Sequence, residues 1–175
     1  MNVTEFFQQS TGKWFSQRTH HHSTAQTPES GKSDIYIEWL ENDAPTVVQL
    51  CQQQQVNPAT ALGGMQIRWE GFVAHSPDKQ RGSTVVVAIA DDTNPTQGRI
   101  LQSNPDKTGS PVLAGHYTMG EDEALTLVTD IDSVSAEERI WFAGPNLRLR
   151  TRVLKTPEGV TTAAFYSEIR MGGAQ

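Results

Sequence analysis

Residues 146–153, NLRLRTRV, alternate two kinds of side chain: Leu147, Leu149, Thr151 and Val153 fall on one face of a strand, and Arg148, Arg150 and Arg152 on the other. The chain has only 14 lysines and arginines against 20 aspartates and glutamates, so three arginines spaced two apart form a local concentration on an acidic background. Alternation alone favours dry leucines and wet arginines, as in any half-buried strand. The opposite reading needs a polar interior, such as the ligand cavity of a small antiparallel barrel. Guanidinium groups cannot be buried with nothing opposite them, so inward arginines demand anionic partners. A dicarboxylate ligand supplies them: same-face residues of a strand lie about 6–7 Å apart, and each arginine fork can grip one carboxylate.

Working outward, most of the chain reads as strands. Beyond residue 64 they fall at 65–75, 83–90, 97–102, 111–119, 123–130, 137–143, 147–155 and 160–169, rich in β-branched and aromatic residues. Turn clusters separate them, among them Ser76-Pro77-Asp78, Asp92-Thr93-Asn94-Pro95, Gly144-Pro145-Asn146 and Thr156-Pro157-Glu158-Gly159. Two further strands, 12–22 and 33–41, precede them. The short, even spacing predicts an antiparallel meander of about ten strands, better closed into a barrel than left with open edges. Minor helices are expected at 3–9 and at 43–55, the second with Asp43 as N-cap, Pro45 in the first turn and Val47, Val48, Leu50 and Cys51 as its apolar stripe.

At 175 residues the chain suits a single domain, 1–175. A formal charge of −6 with no basic block argues against nucleic acid or an acidic membrane surface as partner. The lone Cys51 cannot form an internal disulfide and is expected to pack against the core from its helix. The N-terminal residues lack the apolar run of a signal peptide, and no stretch approaches the roughly 20 apolar residues of a membrane span, so a cytoplasmic protein is expected. His20, His21 and His22 alternate faces and have no Cys/His partner motif, which gives no expectation of a metal. No GxSxG elbow or GxxxxGK[ST] loop supports a hydrolase or kinase. Trp69 shares a strand face with Ile67, Gly71 and Val73, and Trp14 shares one with Ser16, Arg18 and His20. Tryptophan, arginine and histidine together suit a flat, conjugated, anionic ligand, although each tryptophan taken singly also suits a core.

EFF at 5–7, GKWFSQRTHHH at 12–22, GGMQIRWEG at 63–71, ERIWFAGPNLRLRTRV at 138–153 and TTAAFYSEIR at 161–170 together resemble the S-type (CpcS/CpeS) phycobiliprotein lyases of cyanobacteria. The resemblance runs in order from Glu5 to Arg170, and WFAGPNLRLR is its most specific block. It implies an all-β fold with minor helices: a ten-stranded antiparallel barrel of the lipocalin or fatty-acid-binding-protein type. It also implies a bilin, phycocyanobilin foremost, bound as substrate with no further cofactor, and its covalent attachment to a cysteine of a phycobiliprotein subunit.

By the same resemblance Arg148 and Arg150 clamp the two propionates from inside the barrel, with Arg152 at the rim. Trp69 and Trp141 become aromatic contacts, Arg18 a second cationic or structural partner, His21 a polar group near the reacting end, and Glu138 an acceptor for pyrrole N–H groups. His21 and Glu138 are the implied proton donors. His21 reaches the same lumen as Arg18 only if a bulge interrupts their strand. The implied enzyme is a bilin:cysteine lyase that forms a C–S bond, with apo-phycocyanin and apo-allophycocyanin subunits as partners. A homodimer, or a heterodimer with a related lyase subunit, also belongs to the family expectation. Two rival readings remain: a bilin or lipid carrier without catalysis, and an assembly factor for apo-subunits.

Overall fold

The computed structural model describes residues 1–74, 76–103 and 111–172. Ten strands follow one another in it: β1 (Gly12–His22), β2 (Glu29–Leu40), β3 (Ala61–Val73), β4 (Gln80–Ala90), β5 (Gln97–Ser103), β6 (Leu113–Met119), β7 (Leu125–Ile131), β8 (Val134–Gly144), β9 (Leu147–Thr156) and β10 (Gly159–Met171). Each pairs antiparallel with the next, and β1 pairs with β10 to close the barrel. Closure leaves no free sheet edge. The expected strand order is therefore the observed one, though β2, β3, β4 and β8 begin three or four residues earlier than the sequence pattern indicated. His75, expected at the end of the third strand, lies outside the described residues.

Two helices accompany the barrel, α1 (Val3–Ser10) and α2 (Pro45–Gln53). A reciprocal capping box fixes the start of α1: Glu5 N–H donates to the Asn2 side chain at 2.8 Å, and Asn2 N–H donates to the Glu5 carboxylate at 2.8 Å. Its buried residues Val3, Phe6 and Phe7 fill the end of the barrel at which β1 begins, and Phe6 meets Phe142 with ring centroids 5.0 Å apart. Trp14 locks this plug by donating its indole N–H to the Ser10 carbonyl at 2.8 Å, and Arg170 donates to the Thr11 and Gln9 carbonyls at 2.5 and 2.6 Å.

Outside the barrel, α2 presents Val47, Leu50 and Cys51 to Val85, Val87, Ile89 and Leu101. That contact explains the unbroken apolar run of β4. Val86 and Ala88 join the interior cluster while Val85, Val87 and Ile89 lie beneath α2, so both faces are dry. Cys51 is fully buried there, and burial pushes its thiol pKa up. Asp43 is not the cap of this helix. The N-cap is Ala44, which makes no side-chain hydrogen bond, and Pro45 opens the first turn. Proline already has helical φ and lacks one of the orphan N–H donors, so the helix starts without a capping side chain. Among the described residues no helix is long and apolar enough to cross a membrane.

Phe6 is fully buried at the closed end. Truncation to alanine should lower the unfolding free energy by about 3–5 kcal/mol, the usual range for a buried phenylalanine, read as a lower urea midpoint with unchanged slope.

Candidate functional site

The interior face of β9 carries the arginines. Arg148, Arg150 and Arg152 all line a cavity of about 540 Å³, whose lining is buried beside α1 at Phe6 and Ser10 and exposed at the other end at Ile131 and Arg152, within the range of roughly 300–1,000 Å³ usual for small-molecule sites. Leu147, Leu149 and Val153 are on the outer face and half-buried. Neither α1 nor α2 covers them, since α2 lies over the outer faces of β3, β4 and β5.

Register arranges the charged residues in rows across the neighbouring strands. The deepest row runs Ser16, Glu168, Arg148; the next Arg18, Tyr166, Arg150; the next His20, Ala164, Arg152, Glu138. Glu168 is 0% exposed and Arg148 5%. Arg148 donates from Nε to Glu168 Oε2 at 2.6 Å, and an Arg150 terminal nitrogen lies 3.3 Å from the other carboxylate oxygen. Glu138 stands on the opposite flank, 3.7 Å from Arg150 and 3.4 Å from Arg152. Stacking adds to these pairs: Arg150 lies over the Tyr166 ring at 3.9 Å, and Trp14 faces Arg148 at 4.9 Å and Arg170 at 4.2 Å.

Burial would raise the pKa of Glu168, but the charges of Arg148 and Arg150, with hydrogen bonds from Arg148 and Ser16, outweigh it and hold the carboxyl below the usual range. Burial lowers the pKa of Arg148, the deepest of the arginines, despite Glu168. Arg150 is desolvated too, but Glu168 and Glu138 together prevail and raise it. Among the described residues the buried Nε–H groups of Arg18 and Arg150 are without a hydrogen-bond partner, as are the indole N–H of Trp39, the hydroxyl of Ser10 and Oε1 of Glu168. Arg18 pairs with Glu29 at 3.8 Å. Gly31 makes room for it, since a Cβ there would come within 2.7 Å of Arg18 Nε.

The facing wall differs. Met65, Ile67, Trp69, Val86, Leu113, Leu127 and Ile131 line it, interrupted by the uncharged polar side chains of Ser33, Ser83, Thr84, Gln102, Ser103 and Thr129. One side of the lumen therefore carries charged groups, and the other is uncharged and mixed apolar and hydroxyl-bearing.

Of the residues singled out from sequence, Arg148, Arg150, Arg18, Trp69 and Glu138 share this cavity. Two do not. His21 is exposed on the outer face of β1, because β1 pairs with both neighbours without a register shift and so has no bulge to turn it inward. On the lumenal face of that strand stand His20 and His22, their rings 4.7 Å apart, and burial, followed by the charges of His22 and Arg18, lowers the His20 pKa. Trp141 also points outward, half-buried beside its register partner Leu149, while Ile140 and Phe142 point in. Glu168 and Tyr166 escaped notice in the sequence. Their signal was present: residues 165–170 place Tyr166, Glu168 and Arg170 on one strand face and Phe165, Ser167 and Ile169 on the other, the same inversion as the arginine strand.

A closed ten-stranded antiparallel barrel around such a cavity has the architecture of a lipocalin-like barrel. Comparison with known proteins narrows the class. The profile of the CpeS-like protein family matches residues 2–171. A chromophore lyase CpcS/CpeS of Thermosynechococcus vestitus is 46% identical over 175 residues, covering 100% of this chain and 96% of that one. A phycocyanobilin lyase subunit CpcS of Picosynechococcus sp. is 38% identical over 172 residues, covering 97% of this chain and 86% of that one. The solved S-type phycobiliprotein lyase CPES from Guillardia theta superposes with a TM-score of 0.85 at 36% identity, over 99% of this chain and 95% of that one. The chain belongs to the CpeS-like family, the S-type (CpcS/CpeS) chromophore lyases.

Because native Glu168 titrates below an unfolded glutamate, its contribution to stability is complete above about pH 4.3 and is lost as pH falls through the depressed native value. Denaturant midpoints measured between about pH 2 and 7 should show this acid decline in the wild type. Glu168→Gln should flatten it, from a plateau lower by about 3–5 kcal/mol because the arginines lose their counter-charge.

Proposed function

We propose that this enzyme binds a bilin in the two-sided cavity and catalyses its thioether attachment to a cysteine of a phycobiliprotein subunit. Phycocyanobilin is the first candidate substrate, and the phycocyanin β and allophycocyanin subunits are the first candidate acceptors. The observation that carries the reading is the division of the lumen into an arginine wall and an uncharged wall with Met65, Ile67, Trp69 and Leu127 on it. A bilin has the matching division, with two propionates on neighbouring rings along one edge and a conjugated apolar body. In this reading Arg150 and Arg148 receive the propionates, Arg18 adds a cation across Tyr166, and Trp69 packs against the rings.

Glu138 is ion-paired with Arg150 and Arg152, so its part is that of an acceptor rather than an acid. It takes hydrogen bonds from pyrrole N–H groups and favours the protonated, more electrophilic chromophore. The nucleophile is the acceptor's thiolate. A C–S bond forms at the exocyclic ethylidene carbon, its π electrons move into the conjugated system, and the proton released by the thiol ends on the adjacent ring carbon. Nothing else is consumed or released. The barrel contributes orientation: the bilin is held by its carboxylates at the plugged side, with its reactive end toward the open one. His21 lies outside the cavity and has no part in this scheme.

Co-expression with a bilin-synthesis pathway and single apo-subunits tests the function directly, since a lyase leaves one adduct on one cysteine and a carrier leaves the mixed products of spontaneous addition. Arg150→Ala should weaken bilin binding by about 10- to 100-fold, the worth of one charge-assisted hydrogen bond, measured by absorbance titration. Unchanged affinity and yield would reject the clamp.

A further inference from the structure

Glu168 is more buried than any other charged residue described, and nothing in the attachment chemistry uses it. A buried ion pair adds little to stability over a well-packed apolar pair, so its presence calls for another account. Arg148 and Arg150 are two like charges spaced two apart on one strand face, each on a long flexible stem. Left alone they would repel each other and sample many rotamers. Glu168 stands across from Arg148 in register, next to Ser16 on its other side. One of its oxygens accepts from Arg148 Nε at 2.6 Å; the other, Oε1, makes no hydrogen bond among the described residues and lies 3.3 Å from an Arg150 terminal nitrogen as an ion pair. The Nε–H of Arg150 is left without a partner on a side chain that lines the cavity.

We propose that Glu168 is a positioning residue: it hydrogen-bonds the Nε edge of Arg148 and draws Arg150 toward the same carboxylate by charge, and so presents the remaining N–H edges to the lumen at a fixed spacing, matched to a ligand with two carboxylates. The inference rests on the bilin reading of the cavity and adds to it a source of specificity for the dicarboxylate form. Charge count is consistent with it. Three arginines on β9 face two carboxylates, Glu138 and Glu168, which leaves one positive charge for the incoming anion.

The test compares phycocyanobilin with its dimethyl ester, titrated into the full-length wild type, Glu168→Gln and Glu168→Asp. Loss of positioning predicts that Glu168→Gln weakens the diacid by at least about tenfold while the ester changes by less than about twofold, with Glu168→Asp recovering part of the diacid affinity. A role in folding alone would weaken both forms equally, and a role as competitor would tighten the diacid; either result overturns the proposal. A second measurement needs neither ligand nor variant: nitrogen-detected or ¹⁵N-edited spectra of arginine-labelled wild type should show an Arg148 Nε–H protected from solvent exchange at neutral pH. Absence of any protected arginine Nε–H also overturns it. Should the wild type bind neither bilin form, the bilin reading falls, and the spectrum alone decides whether Glu168 fixes the pair.

Discussion

Three guanidinium groups stand on the lumenal face of β9, and the barrel tolerates them because Glu168 on β10 and Glu138 on β8 stand on the strands to either side. Without those carboxylates the arginine row would have to turn outward, and a one-residue slip of β9 would carry its leucines into the lumen. The cross-strand pairing of Glu168 with Arg148 and of Glu138 with Arg152 therefore fixes the register of three strands as well as the polarity of the cavity. Hydrophobic burial elsewhere has no such choice to make. Both faces of β4 are dry whichever way the strand is read, because α2 covers the outside.

The same charges reach the closed end. Trp14 lies between the guanidinium groups of Arg148 and Arg170, and Arg170 holds the last turn of α1 through the Gln9 and Thr11 carbonyls. A continuous set of contacts thus runs from the cavity wall to the plug. It ties the floor of the cavity to the plug. A ligand entering such a site is oriented by electrostatics at its inner edge and by shape along the uncharged wall of Met65, Ile67, Trp69 and Leu127.

Much of the fold was legible because turn residues and period-two alternation are local signals. The Gly144-Pro145-Asn146 and Thr156-Pro157-Glu158-Gly159 turns sit between β8, β9 and β10 as expected. The direction of the arginine strand was not local. Alternation says that two faces differ, and only the partner strands decide which face is inside; the decisive partner, Glu168, is 20 residues away in sequence from Arg148. His21 and Trp141 show the converse. A motif places both in the right strand, but side-chain parity in β1 and β8 puts them outside, and parity follows from a register without bulges around His21. The Asp43 cap failed for a simpler reason, since a proline-led helix needs one donor fewer satisfied.

A cavity that neutralises most of its own cations exacts a cost from an incoming anion. A carboxylate arriving at Arg150 meets a guanidinium already shared between Glu168 and Glu138, so it exchanges partners and gains less than it would from a bare cation. The arginine wall then sets orientation, at a gain in affinity smaller than bare cations would give. On the proposed function that balance is the useful one: a lyase must hold its pigment in one pose and yet release it once the thioether has formed, and uniform tight binding would slow that release without accelerating bond formation. The uncharged wall supplies sequence-independent attraction, the paired arginines supply geometry, and the covalent bond to the acceptor supplies the free energy that draws the pigment out.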